Sequence, residues 1–279
     1  MDRYPLSGSG DVAPLEVREV TKRFGGLAAV DGVSLSLSRG VVTALIGANG
    51  AGKSTLLGLI SGASKLDGGV VVLDGTDVSR FSRQRRSRRG LASTFQHPQL
   101  VPLLTCLENV AGGMEAARRP ASLLGSPFRR GEAAVLRRSA IMLELVGIPS
   151  DRWMLRSHQL SAQDRLLTEL ARALVSEPKV LLLDEPSVGF TAEETDLLIS
   201  LLSRLTDSEG RSVLLVTHDI TFAMRSAQRV YVMDHGRLIC EGTPSAVIRN
   251  EQVVRAYLGE KGRESALKSL SVAEKDTPG

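Results

Sequence analysis

The chain has 279 residues, 42% of them hydrophobic, enough for one large domain with a sizeable core or for two small ones. No apolar run approaches the roughly 18 residues of a membrane span, and the amino end MDRYPLSGSGDVAP lacks a signal peptide's apolar stretch, so the expected compartment is the cytoplasm. The formal charge of +4 is modest, and Cys106 and Cys240 lie far apart and outside any CxxC pair, which argues against a disulfide framework or a structural zinc site.

Residues 1–14 and 259–279 are polar or charged and poor in large apolar side chains, so both read as flexible tails. From Leu15 to Phe24 and from Val33 to Gly40, apolar and polar residues alternate at period two, which predicts antiparallel strands. Val41 to Leu45 is an apolar, β-branched run and Leu56 to Ile60 carries no helix breaker, so a buried strand feeds a helix here. Val70 to Val78 reads as a further strand with a turn at Asp74 and Gly75. The run Ser79 to Gly90 carries Arg80, Arg83, Arg85, Arg86, Arg88 and Arg89, and fits best the solvated face of a surface helix. Contact with anionic lipid or an acidic partner is a second reading of that run; nucleic acid is a third, disfavoured because no aromatic platform is interleaved. Between Thr105 and Ser157 the segment AAVLRRSAIMLELVGI has helical spacing, predicting a mostly helical insert. Beyond it, helix, buried strand, helix, strand and a closing hairpin-like pair alternate, as in a parallel α/β sheet.

Between the Val41 strand and the Leu56 helix stands GANGAGKST, the P-loop spacing of two glycines four residues apart followed by lysine and a hydroxyl residue. Gly47, Ala48, Asn49, Gly50, Ala51 and Gly52 form a tight loop whose N–H groups point at phosphate oxygens, and the helix dipole favours the same anion. Lys53 reaches the β and γ phosphates, Ser54 supplies a hydroxyl to a magnesium ion bridging them, and Thr55 adds a phosphate contact. ATP with Mg2+ is the expected ligand pair.

The run KVLLLDEP, Lys179 to Pro186, ends a continuous apolar stretch in two acids, as a buried central strand does at its carboxyl edge. In this Walker B reading Asp184 holds the metal, directly or through water, and Glu185 orients the water that attacks the γ-phosphate. His218, in the THD that comes after SVLLV, stands at another strand end where a neutral imidazole meets that phosphate and water. Gln96, in TFQHP, offers an amide to the metal and the water.

Taken in order, Phe24 at a strand end, the P-loop, Gln96 before a helical insert, Leu160–Ser161 before a helix, the two acids and His218 resemble the ATP-binding cassette of ABC transporters. STFQHPQL, EPSVG and GTPSAVIRNEQVVRAYLGE are similar to the ATPases of branched-chain amino acid importers, the Liv type, and of their urea or amide relatives. The resemblance implies an α/β P-loop NTPase cassette over residues 15–258: a RecA-like core, a small antiparallel β subdomain and a helical subdomain at about 100–157. It further implies an ATPase on the cytoplasmic face of the membrane that energises separate permease subunits, served indirectly by an extracytoplasmic solute-binding protein. Cassettes of this family pair head to tail, each ATP lying between one P-loop and the other subunit's signature loop. Phe24 then stacks on adenine with Val30 as apolar support, Gln96 relays nucleotide state to the permeases, and Ser161 donates to the partner's γ-phosphate.

The signature departs from the family's LSGGQ: this chain reads LSAQD, Leu160 to Asp164. Gln163 replaces a glycine that permits close approach, and Asp164 brings a carboxylate toward a triphosphate, a repulsion of about 2 kcal/mol at ~8 Å and an effective dielectric of ~20. Thr191 stands where the family usually has aspartate or asparagine. These departures point to a weakened half-site and hence to a heterodimer with a second cassette, a homodimer being the other arrangement. A regulatory nucleotide-binding subunit and a soluble, non-transport cassette are the competing functions.

Overall fold

The computed structural model describes residues 12–94, 99–117 and 128–258. In chain order its elements are β1 (Leu15–Phe24), β2 (Leu27–Leu37), β3 (Val42–Ile46), α1 (Lys53–Ser61), β4 (Gly68–Leu73), β5 (Thr76–Asp77), α2 (Arg83–Ser87), β6 (Leu91–Ser93), α3 (Cys106–Ala117) and α4 (Phe128–Leu145). Then come α5 (Ala162–Leu174), β7 (Val180–Asp184), α6 (Ala192–Asp207), β8 (Ser212–Val216), α7 (Ile220–Ser226), β9 (Arg229–Asp234), β10 (Arg237–Gly242), α8 (Pro244–Arg249), α9 (Glu251–Val253) and a π turn, Val254–Leu258.

These strands build two sheets, one antiparallel in the order β2-β1-β4-β5 and one in the order β10-β9-β3-β8-β7-β6. In the second, β6, β7, β8, β3 and β9 run parallel, and β10 returns antiparallel to β9 at the edge. The central strands are apolar throughout because both faces are covered. Successive side chains of β7 alternate between two cores: Leu181 and Leu183 face one with the α-helices, Val180 and Leu182 face the other with α1 and the antiparallel sheet. The Asp74–Gly75 turn joins β4 to β5 as expected, so the Val70–Val78 stretch is a short hairpin. β2 starts at Leu27, six residues before the alternating stretch that announced it. Register shifts along β1–β2 break the period-two pattern in its first half.

The stretch expected to be a helical insert holds α3 and α4, and α5 packs against both. α3 approaches α5 closely at Gly113, where a Cβ would run into the Arg172 carbonyl. Gly147, at φ +86°, lets the chain turn out of α4, and the Ile148 N–H returns to the Leu143 carbonyl at 3.0 Å.

The arginine-rich run corrects its sequence reading. Arg86 is 1% exposed. Its Nη1 donates to the carbonyls of Leu59 (2.7 Å) and Ile60 (2.6 Å) at the end of α1, while Nη2 and Nε reach the carbonyls of Ser79 (3.0 Å) and Phe81 (3.2 Å). A cation at a helix carboxyl end also meets a favourable dipole. Arg85 and Arg89 lie over the Phe81 ring, and Arg83 donates to Ser93 Oγ at 2.8 Å. The cluster thus clamps α2 to α1 and β6, with its remaining charge at the surface. Arg86→Met should leave four carbonyls short of a donor and cost about 3 kcal/mol, lowering Tm by about 6–12 °C. Exposed Arg88→Met should shift Tm by no more than about 2 °C in the same thermal unfolding experiment.

Candidate functional site

β3 ends at Ile46 and the chain turns at once into the P-loop. Gly47 carries no Cβ because one there would collide with the Met233 carbonyl of β9, and a Cβ on Gly52 would collide with the Ala29 carbonyl of β2. The loop is therefore wedged between the two sheets. No side chain caps the amino end of α1, so its first N–H groups are open to an anion. Lys53 is buried, and its Nζ donates to the carbonyls of Gly47 (2.7 Å) and Ala48 (3.0 Å) inside the loop. Burial pushes its ammonium below the usual lysine range, against the opposing charges of Glu185 and Asp184. Arriving phosphate would relieve that burial by exchanging carbonyl dipoles for full negative charge.

Asp184 ends β7, and Glu185 leaves the strand at φ +51°, a strained conformation for a residue with a Cβ. The turn sends the two acids to different sides of the loop. Glu185 lines a cavity of about 300 Å³ with Asn49, Gly50, Gly52, Lys53, Ser54 and Thr55. Asp184 lines an adjoining cavity of about 280 Å³ with Ser54, Thr94 and Gln99. His218 Nδ1 sits 2.9 Å from Glu185 Oε1, and the Thr217 hydroxyl donates to Oε2 at 3.1 Å. The carboxylate is thus held from β8 at the mouth of the phosphate loop. Gln96 lies outside the described residues.

Phe24 stands exposed at the end of β1, with Lys22 Nζ 5.5 Å from its ring centroid. Val30 is fully buried within the antiparallel sheet's core. The apolar wall of the cavity comes instead from Leu27, Ala28 and Ala29 of the same strand, closed by His235 and Gly236 of the β9–β10 turn. Hydrogen bonds from Gly236 N to Ala51 O (3.0 Å) and from Asp31 N to Gly236 O (2.8 Å) hold that turn in place. Its Asp-His-Gly sequence signals a hairpin, but nothing in the sequence tells that the hairpin meets the P-loop.

Ser161 caps α5, its Oγ accepting from the Asp164 N–H at 3.0 Å. Asp164 does not face outward as expected: its carboxylate is buried and takes two bonds from Arg152 Nη1, at 3.2 and 3.0 Å. The expected repulsion toward a triphosphate is thereby removed, because the charge is paired and turned into the protein. Thr191 caps α6 in a reciprocal box with Glu194. A helix-capping hydroxyl explains the threonine locally.

Residues 30–188 match the family model for the ABC transporter. The chain belongs to the ABC transporter family and is an ATP-binding cassette ATPase. Within the family, residues 237–262 of the cassette match a model for the branched-chain amino acid ATP-binding cassette transporter. It is 35% identical over 250 residues to the high-affinity branched-chain amino acid transport ATP-binding protein LivG of Salmonella typhimurium, covering 88% of this chain and 98% of that one. Identity to the corresponding protein BraF of Pseudomonas aeruginosa is 34% over the same coverage. A solved ATP-binding cassette of an ABC transporter in its ADP conformation superposes with a TM-score of 0.77 at 30% identity, covering 89% of this chain and all of that one.

The cassette's residues fit a magnesium ion between nucleotide and protein. Asp184 Oδ1 is buried with no protein partner, and it shares its cavity with Ser54. Asp184 and Ser54 would hold the ion, which would supply positive charge against that developing on the phosphates. Burial, together with the Glu185 charge, raises the Asp184 carboxyl above its ordinary range, with Lys53 pulling the other way. The folded chain therefore binds this proton more readily than the unfolded chain, and ionised Asp184 subtracts stability at neutral pH. The penalty vanishes below the ordinary carboxylate range. Asp184→Asn should accordingly raise the nucleotide-free Tm at neutral pH, a gain that disappears by about pH 3, while hydrolysis falls by roughly 100-fold or more. Glu185→Gln should cut hydrolysis by at least ~100-fold yet leave ATP affinity within about threefold, as read by single-turnover and equilibrium binding assays.

Proposed function

We propose that this ATPase energises the import of branched-chain amino acids or a related small polar solute. It binds at the cytoplasmic face of the membrane to separate permease subunits, which are fed by an extracytoplasmic solute-binding protein. Among the described residues no helix is long and apolar enough to cross a membrane. The observation that carries the reading is Glu185 clamped by Thr217 and His218 at the mouth of the P-loop, on a chain that matches LivG over most of its length. In the proposed step, Glu185 accepts the proton of a water whose oxygen bonds to the γ-phosphorus. The bond to the β-phosphate oxygen breaks in line, and ADP leaves with that electron pair. Phe24 stacks on the adenine, and Gln96 passes the state of the site to the permeases. This machinery favours catalysis over a purely regulatory cassette.

A head-to-tail partner completes the site through a signature loop, and this chain's own loop is the weaker one. Ser161 and Ala162 are exposed, but Gln163 carries a side chain where the family keeps a bare backbone. We infer pairing with a second cassette that has a regular signature. Reconstitution in proteoliposomes with permease subunits of a branched-chain amino acid importer should give ATP-dependent leucine uptake that Glu185→Gln abolishes; hydrolysis without uptake of any branched-chain amino acid would sink the substrate reading. In a preparation forced to self-pair, Gln163→Gly should raise turnover by roughly tenfold, about the effect of 1.4 kcal/mol. Asp164 is left in place because it holds Arg152. An unchanged rate with full activity of the self-pair would make the chain a homodimer.

A further inference from the structure

The last described turn of the chain supplies a contact to the hydrolytic site that no motif announces. Val254–Leu258 winds as a single π turn, a geometry frequent at functional sites. It is firmly seated. Ile248 and Val253 are fully buried beneath it, and Asn250 Oδ1 accepts from the N–H groups of Gln252 (2.9 Å) and Val253 (3.3 Å). From this turn Tyr257 packs its ring at the edge of the helical core, and its hydroxyl donates to the His218 carbonyl at 2.9 Å.

That hydroxyl therefore ties the carboxyl-terminal turn to the main chain of the residue whose ring holds Glu185. Burial, then the charge of Glu185, pushes the Tyr257 hydroxyl up to about 12, so it stays a donor at every working pH. His218 otherwise stands more than half exposed, with its ring tied to Glu185. A shift of the 217–219 turn would carry the imidazole and the carboxylate together away from the phosphate, and misplacement by ~1 Å can cost about 100-fold in rate.

We propose that Tyr257 is a positioning residue for hydrolysis, which fixes the His218 turn against the carboxyl-terminal segment and so sets where Glu185 stands relative to the γ-phosphate. The inference rests on the hydrolytic reading above and extends the site to the carboxyl-terminal segment. The experiment compares the full chain with Tyr257→Phe, His218→Ala and the double variant, measuring kcat, KM for ATP, affinity for a non-hydrolysable ATP analogue and Tm. Tyr257→Phe keeps the ring and its packing, and should lower kcat by roughly tenfold with analogue affinity held within about twofold. Since Tyr257 acts through His218, the double variant should be no slower than His218→Ala alone. An unchanged kcat, losses that multiply in the double variant, or a fall in analogue affinity and Tm parallel to that in kcat would each overturn the proposal. A wild-type chain that binds ATP but never hydrolyses it would instead overturn the hydrolytic reading.

Discussion

The position of β8 between β3 and β7 governs the chemistry of this cassette. Val216, its last residue, pairs with Leu45 on one side and with Asp184 on the other. Three parallel strands therefore end at one level, and the segments leaving them converge: the P-loop after β3, Glu185 after β7, Thr217 and His218 after β8. The ladder continues just past the strand ends, with Glu185 N donating to Val216 O at 2.8 Å and Thr217 N to Leu45 O at 3.3 Å. A slip of one residue in either pairing would turn the side chains to opposite faces and separate the acid from the phosphate. Ligand sites outside the carboxyl ends of parallel strands have this origin.

Around that edge the protein buries charge and answers each buried group differently. Lys53 and Asp184 are both desolvated beside the loop and only partly offset one another, so bound nucleotide and metal would answer the charge of each. Arg86 and Asp164 are equally buried but fully satisfied, one by four carbonyls and the other by Arg152. Asp184 instead keeps a buried oxygen without a protein partner.

Much of this could be read from the residues in order. The P-loop, the acids ending an apolar strand and the histidine ending another were legible because each is a local pattern: chemistry and backbone geometry are specified within a few consecutive positions. Other residues misled for a physical reason. A run of arginines looks solvated in sequence, yet Arg86 points into the gap at the end of α1. Asp164 looked like an exposed charge because Arg152, its partner, lies twelve positions away across a turn. Val30 follows Leu27, Ala28 and Ala29, an apolar stretch without alternation that does not say whether the residue meets ligand or core.

By itself the sequence determined what this protein binds and the class of reaction it performs, because phosphate cradling and water activation need particular side chains at short, fixed spacings. It also set the parallel α/β class through its alternating apolar runs. Only the tertiary structure decided which distant groups complete the site. The β9–β10 turn closes the cavity, Thr217 and His218 clamp Glu185, and Tyr257 ties the carboxyl-terminal turn to the turn after β8. Those contacts join residues as distant in the chain as Asp31 and Gly236. They arise from strand order and register, which no local spacing encodes.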